Sequence, residues 1–186
     1  MAEPEIAKSR HWTYDDYMRL PDDGKRYEIL WGELVRTPAP ANFHQLVLAR
    51  MTEALVKFLN GKDIGQWLPS PVDVVLADDS IVQPDLLFIR KARWRTYAKH
   101  GLHDPPDLAI EVVSESSRKR DAEDKRRLYA QYGVREYWLV DPDLKRIDVF
   151  VFDAGAIVSH GEFTSGDATS ADVLPGFRVS IAALSA

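Results

Sequence analysis

The apolar residues at Leu48, Met51, Leu55 and Leu59 recur every three or four positions. That spacing lines one face of an amphipathic helix over residues 44–59. Gly61 supplies its C-terminal stop. Upstream, Thr13-Tyr14-Asp15-Asp16-Tyr17 reads as the N-cap and first turn of a short helix ending near Pro21. Asp22-Asp23-Gly24 is a turn. Residues 26–30 and 33–36 flank Trp31-Gly32 and predict a hairpin. Pro38 and Pro40 predict a rigid loop.

Beyond Gly61 the period shortens. Residues 72–76 and 86–89 predict strands separated by an Asp78-Asp79-Ser80 turn. Residues 94–101 fit either a short helix or an ordered loop. Pro105-Pro106 introduces residues 107–113, a run as continuously apolar as a strand buried on both faces. Glu111 is its exception. Residues 118–132 read as a second long helix closed by Gly133, and residues 136–140 as another buried strand ended by Asp141-Pro142. Residues 146–152 and 156–163 predict a C-terminal antiparallel hairpin, and Pro175-Gly176 a last turn. The order predicts an α/β fold, a mixed sheet with flanking helices. No repeat or linker divides it, so one domain is expected over residues 1–186, with residues 1–12 as a flexible N-terminus.

Composition narrows the chemistry. The chain has no cysteine, which excludes disulfides, a thiolate nucleophile and Cys-ligated zinc or iron–sulfur centres. This fits a reducing cytoplasm, the expected location. No run approaches the roughly 20 apolar residues of a membrane helix, and the first ten residues lack a signal-peptide core, so no membrane association is expected. A net charge of −5 argues against a general nucleic-acid coat. It does not argue against a metal-dependent nuclease, whose clustered carboxylates lower the net charge. Basic residues crowd at 90–95 and 118–120. Each run either meets phosphates or forms a solvated charged face.

A carboxylate inside an apolar strand is costly unless it is paired, protonated or metal-bound. Glu111 therefore either meets an arginine at a strand end or joins a site. Asp85 follows Pro84 and opens an apolar strand, so it either caps a turn or is the second acid. Two such acids on neighbouring strands, with the carbonyl of Val112, suit a hard cation such as Mg2+. Lys125 lies on the helix after the Glu111 strand, between Asp121 and Tyr129 at four-residue spacing. It is either a surface partner of Asp121, worth roughly 0.2–0.5 kcal/mol, or a cation over the strand ends that orients water or stabilises phosphorane charge. Glu28 points opposite to Tyr27 and Ile29, towards solvent or towards the cation. His44 reads as a packed, hydrogen-bonded histidine outside the catalytic set. Asp73 is a weaker acidic candidate.

These residues resemble a known family. The runs Gln83-Pro84-Asp85-Leu86-Leu87-Phe88-Ile89 and Ala109-Ile110-Glu111-Val112-Val113-Ser114 carry the likeness, followed by Asp121, Lys125, Tyr129 and residues 133–142. Residues 23–35 and His44 match as well. The pattern resembles the Uma2 family of endonucleases, a branch of the PD-(D/E)xK superfamily, over roughly residues 13–178. The resemblance implies a restriction-endonuclease-like core, with Asp85 and Glu111 as ligands of Mg2+ or Mn2+. The superfamily lysine two residues after the acid is replaced by Val113, which moves its role to Lys125. Glu28 becomes a third acid. The implied activity is metal-dependent hydrolysis of DNA phosphodiester bonds, in an expected homodimer. Two alternatives are a catalytically inactive nucleic-acid-binding domain of this fold and a non-enzymatic module dimerising through Glu136-Tyr137-Trp138 and the C-terminal hairpin.

Overall fold

The computed structural model describes residues 10–37, 41–98 and 101–184. The Pro38 and Pro40 loop and most of the N-terminal segment set aside above lie outside the described residues. Among the described residues, fourteen strands form two six-stranded sheets and a two-stranded one. In chain order they are β1 (Arg26–Leu30), β2 (Glu33–Thr37), β3 (Gly65–Pro69), β4 (Val74–Ala77), β5 (Ser80–Val82), β6 (Leu86–Arg90), β7 (Tyr97–Ala98), β8 (Gly101–Leu102), β9 (Leu108–Val112), β10 (Glu136–Asp141), β11 (Arg146–Asp153), β12 (Ala156–Phe163), β13 (Asp167–Thr169) and β14 (Arg178–Ser180). The helices are α1 (Tyr14–Tyr17) and α2 (Asn42–Leu59). A π-helical segment, Arg120–Lys125, continues as α3 (Arg126–Gln131). No helix among the described residues is long and apolar enough to cross a membrane.

The central sheet runs β12-β11-β10-β9-β6-β3. The pair β9–β10 is parallel; its other pairs are antiparallel. This is the mixed sheet expected from the sequence. Side chains alternate across it. Leu86, Phe88, Leu108, Ile110, Val112, Trp138 and Val140 pack against Val47, Met51 and Leu55 of α2. Leu87, Ile89, Ala109, Val113, Tyr137 and Leu139 pack against Leu128 and Tyr129 of α3. Because β9 alternates, Glu111 falls on the α3 face. The period of two therefore decides which helix the buried acid meets.

Several local readings are refined. The Trp31-Gly32 turn closes the β1–β2 hairpin, with positive φ at both residues (48° and 80°). That backbone is the usual geometry of a tight hairpin turn. The Asp78-Asp79 turn joins β4 to β5, a three-residue strand the hydrophobic pattern did not reveal, rather than β4 to β6. β4 and β6 lie in different sheets. β3, which carries Gly65 and Pro69, was also missed. Of residues 94–101, those described divide between a 3-10 helix, Lys91–Thr96, and the paired strands β7 and β8. The strand β10 lies between β9 and β11 with all six residues buried. It offers no free surface, so the proposed dimerisation through Glu136-Tyr137-Trp138 is corrected. The C-terminal hairpin does expose Ile157 and Val158.

Candidate active site

The register of β6 against β9 pairs Leu86 with Ile110. Asp85 immediately precedes Leu86 and Glu111 immediately follows Ile110, so the same register brings the two acids to one end of the pair. The Val112 amide donates to Asp85 Oδ2 at 2.9 Å, and His44 Nε2 lies 3.1 Å from the same oxygen. Asp85 is thus fixed from β9 and from the first turn of α2. The side chain of His44 is oriented by this contact, and its Nδ1 is buried without a hydrogen bond among the described residues. Burial works to lower the His44 pKa, but the hydrogen bond and charge of Asp85 outweigh it, with a contact to the Val112 backbone adding to the rise.

Glu111 is reached from the helix. Lys125 Nζ donates to its Oε1 at 2.9 Å, and the Tyr129 hydroxyl donates to the same oxygen at 2.8 Å. The four-residue spacing sets both donors on one helix face. The same ammonium lies 2.8 Å from Glu28 Oε1 and 3.8 Å from Asp121 Oδ1. Glu28 also accepts the Gln83 amide at 2.7 Å and the Thr37 hydroxyl at 3.3 Å. Glu28, on β1, is 1% exposed, which settles its orientation: it faces the site, not solvent. Lys125 and Asp121 are likewise buried, so their pair is no surface pair. The π-helical segment turns both side chains inward; such wide turns recur at functional sites.

Charge does not balance here. One ammonium faces three carboxylates, an excess of two negative charges if all are ionised. Burial pushes the Glu111 carboxyl well above the ordinary glutamate range; Lys125 opposes this, while Asp121, Asp85 and Glu28 add to it. Burial also raises Asp121. For Lys125, burial works downward, but Glu111, Glu28 and Asp121 outweigh it and raise its pKa. The lysine therefore keeps its proton.

These groups line one cavity of about 480 Å3. Asp85, Glu111, Val112, Lys125 and Glu28, all picked out from the sequence, meet in it. Asp73 does not: it is held by the Tyr17 hydroxyl at 2.7 Å and Gln83 Nε2 at 2.8 Å. His44, set outside the catalytic residues, lines the cavity after all. So do Arg26 and Arg120, which the sequence did not single out individually. The signals for His44 were its match to the family pattern and its place at the start of an apolar helix stripe. The basic run at 90–95 is largely ion-paired, Arg90 with Asp172, Lys91 with Asp63 and Arg93 with Asp107.

A family model described as "Putative restriction endonuclease", Uma2, matches residues 14–183. The chain belongs to the Uma2 family. No curated protein matches the chain. Among solved structures, one from Anabaena variabilis ATCC 29413, described as "a putative nuclease belonging to DUF820", superposes with a TM-score of 0.73 at 20% identity. The match covers 92% of this chain and 96% of that one. At that identity the likeness establishes the fold.

The donor set of this Uma2 site suits a hard divalent cation. All the acid donors are oxygens, as Mg2+ requires. The hydrogen bonds to Asp85 and Glu111 fall on Oδ2 and Oε1, leaving Asp85 Oδ1 and Glu111 Oε2 without one among the described residues. Asp121 Oδ1 is buried without a hydrogen bond among the described residues. No three acid or imidazole side chains among the described residues form a ready-made metal cluster. The fit therefore rests on two acids and a main-chain carbonyl rather than on a full protein cage.

Proposed function

We propose that this Uma2 protein is a metal-dependent endonuclease hydrolysing DNA phosphodiester bonds. One observation carries the reading. Two acids from adjoining strand ends and a helix-borne ammonium, remote in sequence, line a single cavity. Asp85, Glu111 and the Val112 carbonyl would hold Mg2+ or Mn2+, which polarises a phosphodiester and lowers the pKa of a bound water.

The chain's own residues do the rest. Lys125 retains its proton, so it acts as a fixed positive charge beside the oxygens of a pentavalent phosphorane. Glu28 holds that ammonium at 2.8 Å and is itself anchored by the Gln83 amide. His44 and the Val112 amide hold Asp85 in one orientation. Water adds to phosphorus, one phosphorus–oxygen ester bond breaks, and the departing alkoxide takes up a proton. The products are a phosphomonoester and an alcohol.

Relaxation of supercoiled plasmid in Mg2+ tests this. The wild type is expected to nick or linearise it, and Glu111→Gln and Asp85→Asn to lose at least about 100-fold in rate, the scale of removing one stabilising group from a transition state. Equal rates in wild type and Glu111→Gln would overturn the assignment. A homodimer would present two such cavities, one to each strand, and sedimentation velocity measures that state.

A second reading has its own support. Val113 replaces the superfamily lysine, and Lys125 is already shared by Glu28 and Glu111. A domain that binds nucleic acid without cleaving it fits those facts. Calorimetric titration with Mn2+ separates the two, since binding without metal affinity belongs to the second.

A further inference from the structure

Five carboxylates line the cavity: Glu28, Asp85, Glu111, Glu115 and Asp121. Such a surface repels a polyanion unless cations stand free to receive it. Lys125 is not free, being buried and bound to Glu28 and Glu111. Two arginines remain in the lining, Arg26 on β1 and Arg120 on the π-helical segment.

Neither is neutralised by a hydrogen-bonded acid among the described residues. Arg26 donates to a neutral partner, Ser70 Oγ, at 3.0 Å. Arg120 makes no hydrogen bond among the described residues, and its Nε is buried without a partner. The acid oxygen it pairs with, Asp121 Oδ1, stands 3.8 Å away, beyond hydrogen-bonding distance, and accepts no hydrogen bond among the described residues. The contrast lies two residues away. Arg118 spends its guanidinium on Asp141 and Asp143. The basic run at 118–120 is thus divided by the fold into a tied cation and an unspent one. The two arginines come from different elements of the lining. The charge of Arg26 is felt by His44, beside Asp85, and that of Arg120 by Asp121, beside Lys125.

We infer that Arg26 and Arg120 are substrate-positioning residues that each grip a backbone phosphate near the scissile one. This deepens the endonuclease reading and rests on it. A guanidinium presents a planar fork of donors to phosphate, and Arg120, whose long 3.8 Å ion pair with Asp121 runs through its Nε, has no acid bound to its fork nitrogens among the described residues. The ligand class is the sugar–phosphate backbone of DNA, so the contact carries no base preference.

The test is binding of a fluorescein-labelled DNA duplex in EDTA, followed by anisotropy between about 50 and 200 mM salt. Arg26→Gln and Arg120→Gln are each expected to weaken binding about tenfold and to reduce the salt slope by about 1, the share of one phosphate contact. Arg120→Lys should retain the slope, since the charge remains, which a merely structural role would not require. Arg118→Gln should leave the slope unchanged. Wild-type binding with unchanged affinity and slope in Arg26→Gln and Arg120→Gln would overturn this inference and leave the endonuclease reading standing. An equal loss in Arg118→Gln would overturn it too, by showing a diffuse basic surface. No DNA binding by the wild type, in EDTA or in Mg2+, would overturn both.

Discussion

Lys125 Nζ stands 2.9 Å from Glu111 Oε1, and both side chains are almost wholly buried. The pair joins the central sheet to the helix that covers it. Removing one partner of a buried pair leaves the other charge uncompensated in a poor solvent. Lys125→Met is therefore expected to destabilise the metal-free protein by about 3–5 kcal/mol. Urea denaturation measures it, and a loss below about 1 kcal/mol would mean the pair is effectively solvated.

The raised pKa of Glu111 makes stability depend on pH. A carboxyl whose folded pKa lies above its unfolded value binds its proton more tightly when folded. Its contribution is fully present below the ordinary value of 4.5 and is lost as pH rises through the folded value. Metal-free protein should accordingly lose stability as pH rises above 4.5 towards neutrality. Glu111→Gln should flatten that decline. Thermal unfolding across the range checks both, and an unchanged profile in Glu111→Gln would assign the decline to another group.

Added Mg2+ should oppose the same decline. A cation that binds only the folded state stabilises by mass action, by about 2.7 kcal/mol at a hundredfold excess over Kd. It competes with the proton on Glu111, so its effect should grow as pH rises. Unfolding with and without Mg2+ at two pH values measures this, and a shift independent of pH would place the ion elsewhere.

His44 should act through Asp85. Groups that orient a ligand carboxylate typically contribute about 10–100-fold in metal affinity. His44→Ala is expected to weaken Mn2+ binding within that range by calorimetry, with a far smaller change in His11→Ala, whose exposed ring faces Asp79. Equal effects in the two variants would remove His44 from the site.

Gly65 tests the β3–β6 pairing. A Cβ there would stand 2.2 Å from the Ile89 carbonyl oxygen and 2.5 Å from the Phe88 ring. Backbone must shift to admit it, so Gly65→Ala should cost about 1–3 kcal/mol. Chemical denaturation decides it, and a neutral effect would mean β3 does not lie against β6 as described.

Much of this molecule can be read along the chain because its strongest patterns are local. The stripe of α2 and the apolar strands β6, β9 and β10 follow from side-chain spacing alone, and an acid in the middle of such a strand announces itself. Short elements left no such mark. β5 has three residues and β7 and β8 two each, too few for a period to show. β3 interrupts its apolar positions with Gly65, Gln66 and Pro69 and exists because β6 offers it an edge.

The sequence by itself determined the expected α/β class, the apolar strand that carries Glu111 and the helix face shared by Lys125 and Tyr129, since each is read from side-chain spacing along single segments. Only the tertiary structure decided that Glu28 from the first hairpin shares the lysine, that His44 orients Asp85, and that Arg118 is tied while Arg120 is not. Those outcomes depend on which oxygen lies within about 3 Å of which nitrogen. Segments far apart in the chain reach that distance only after the sheets and helices have packed.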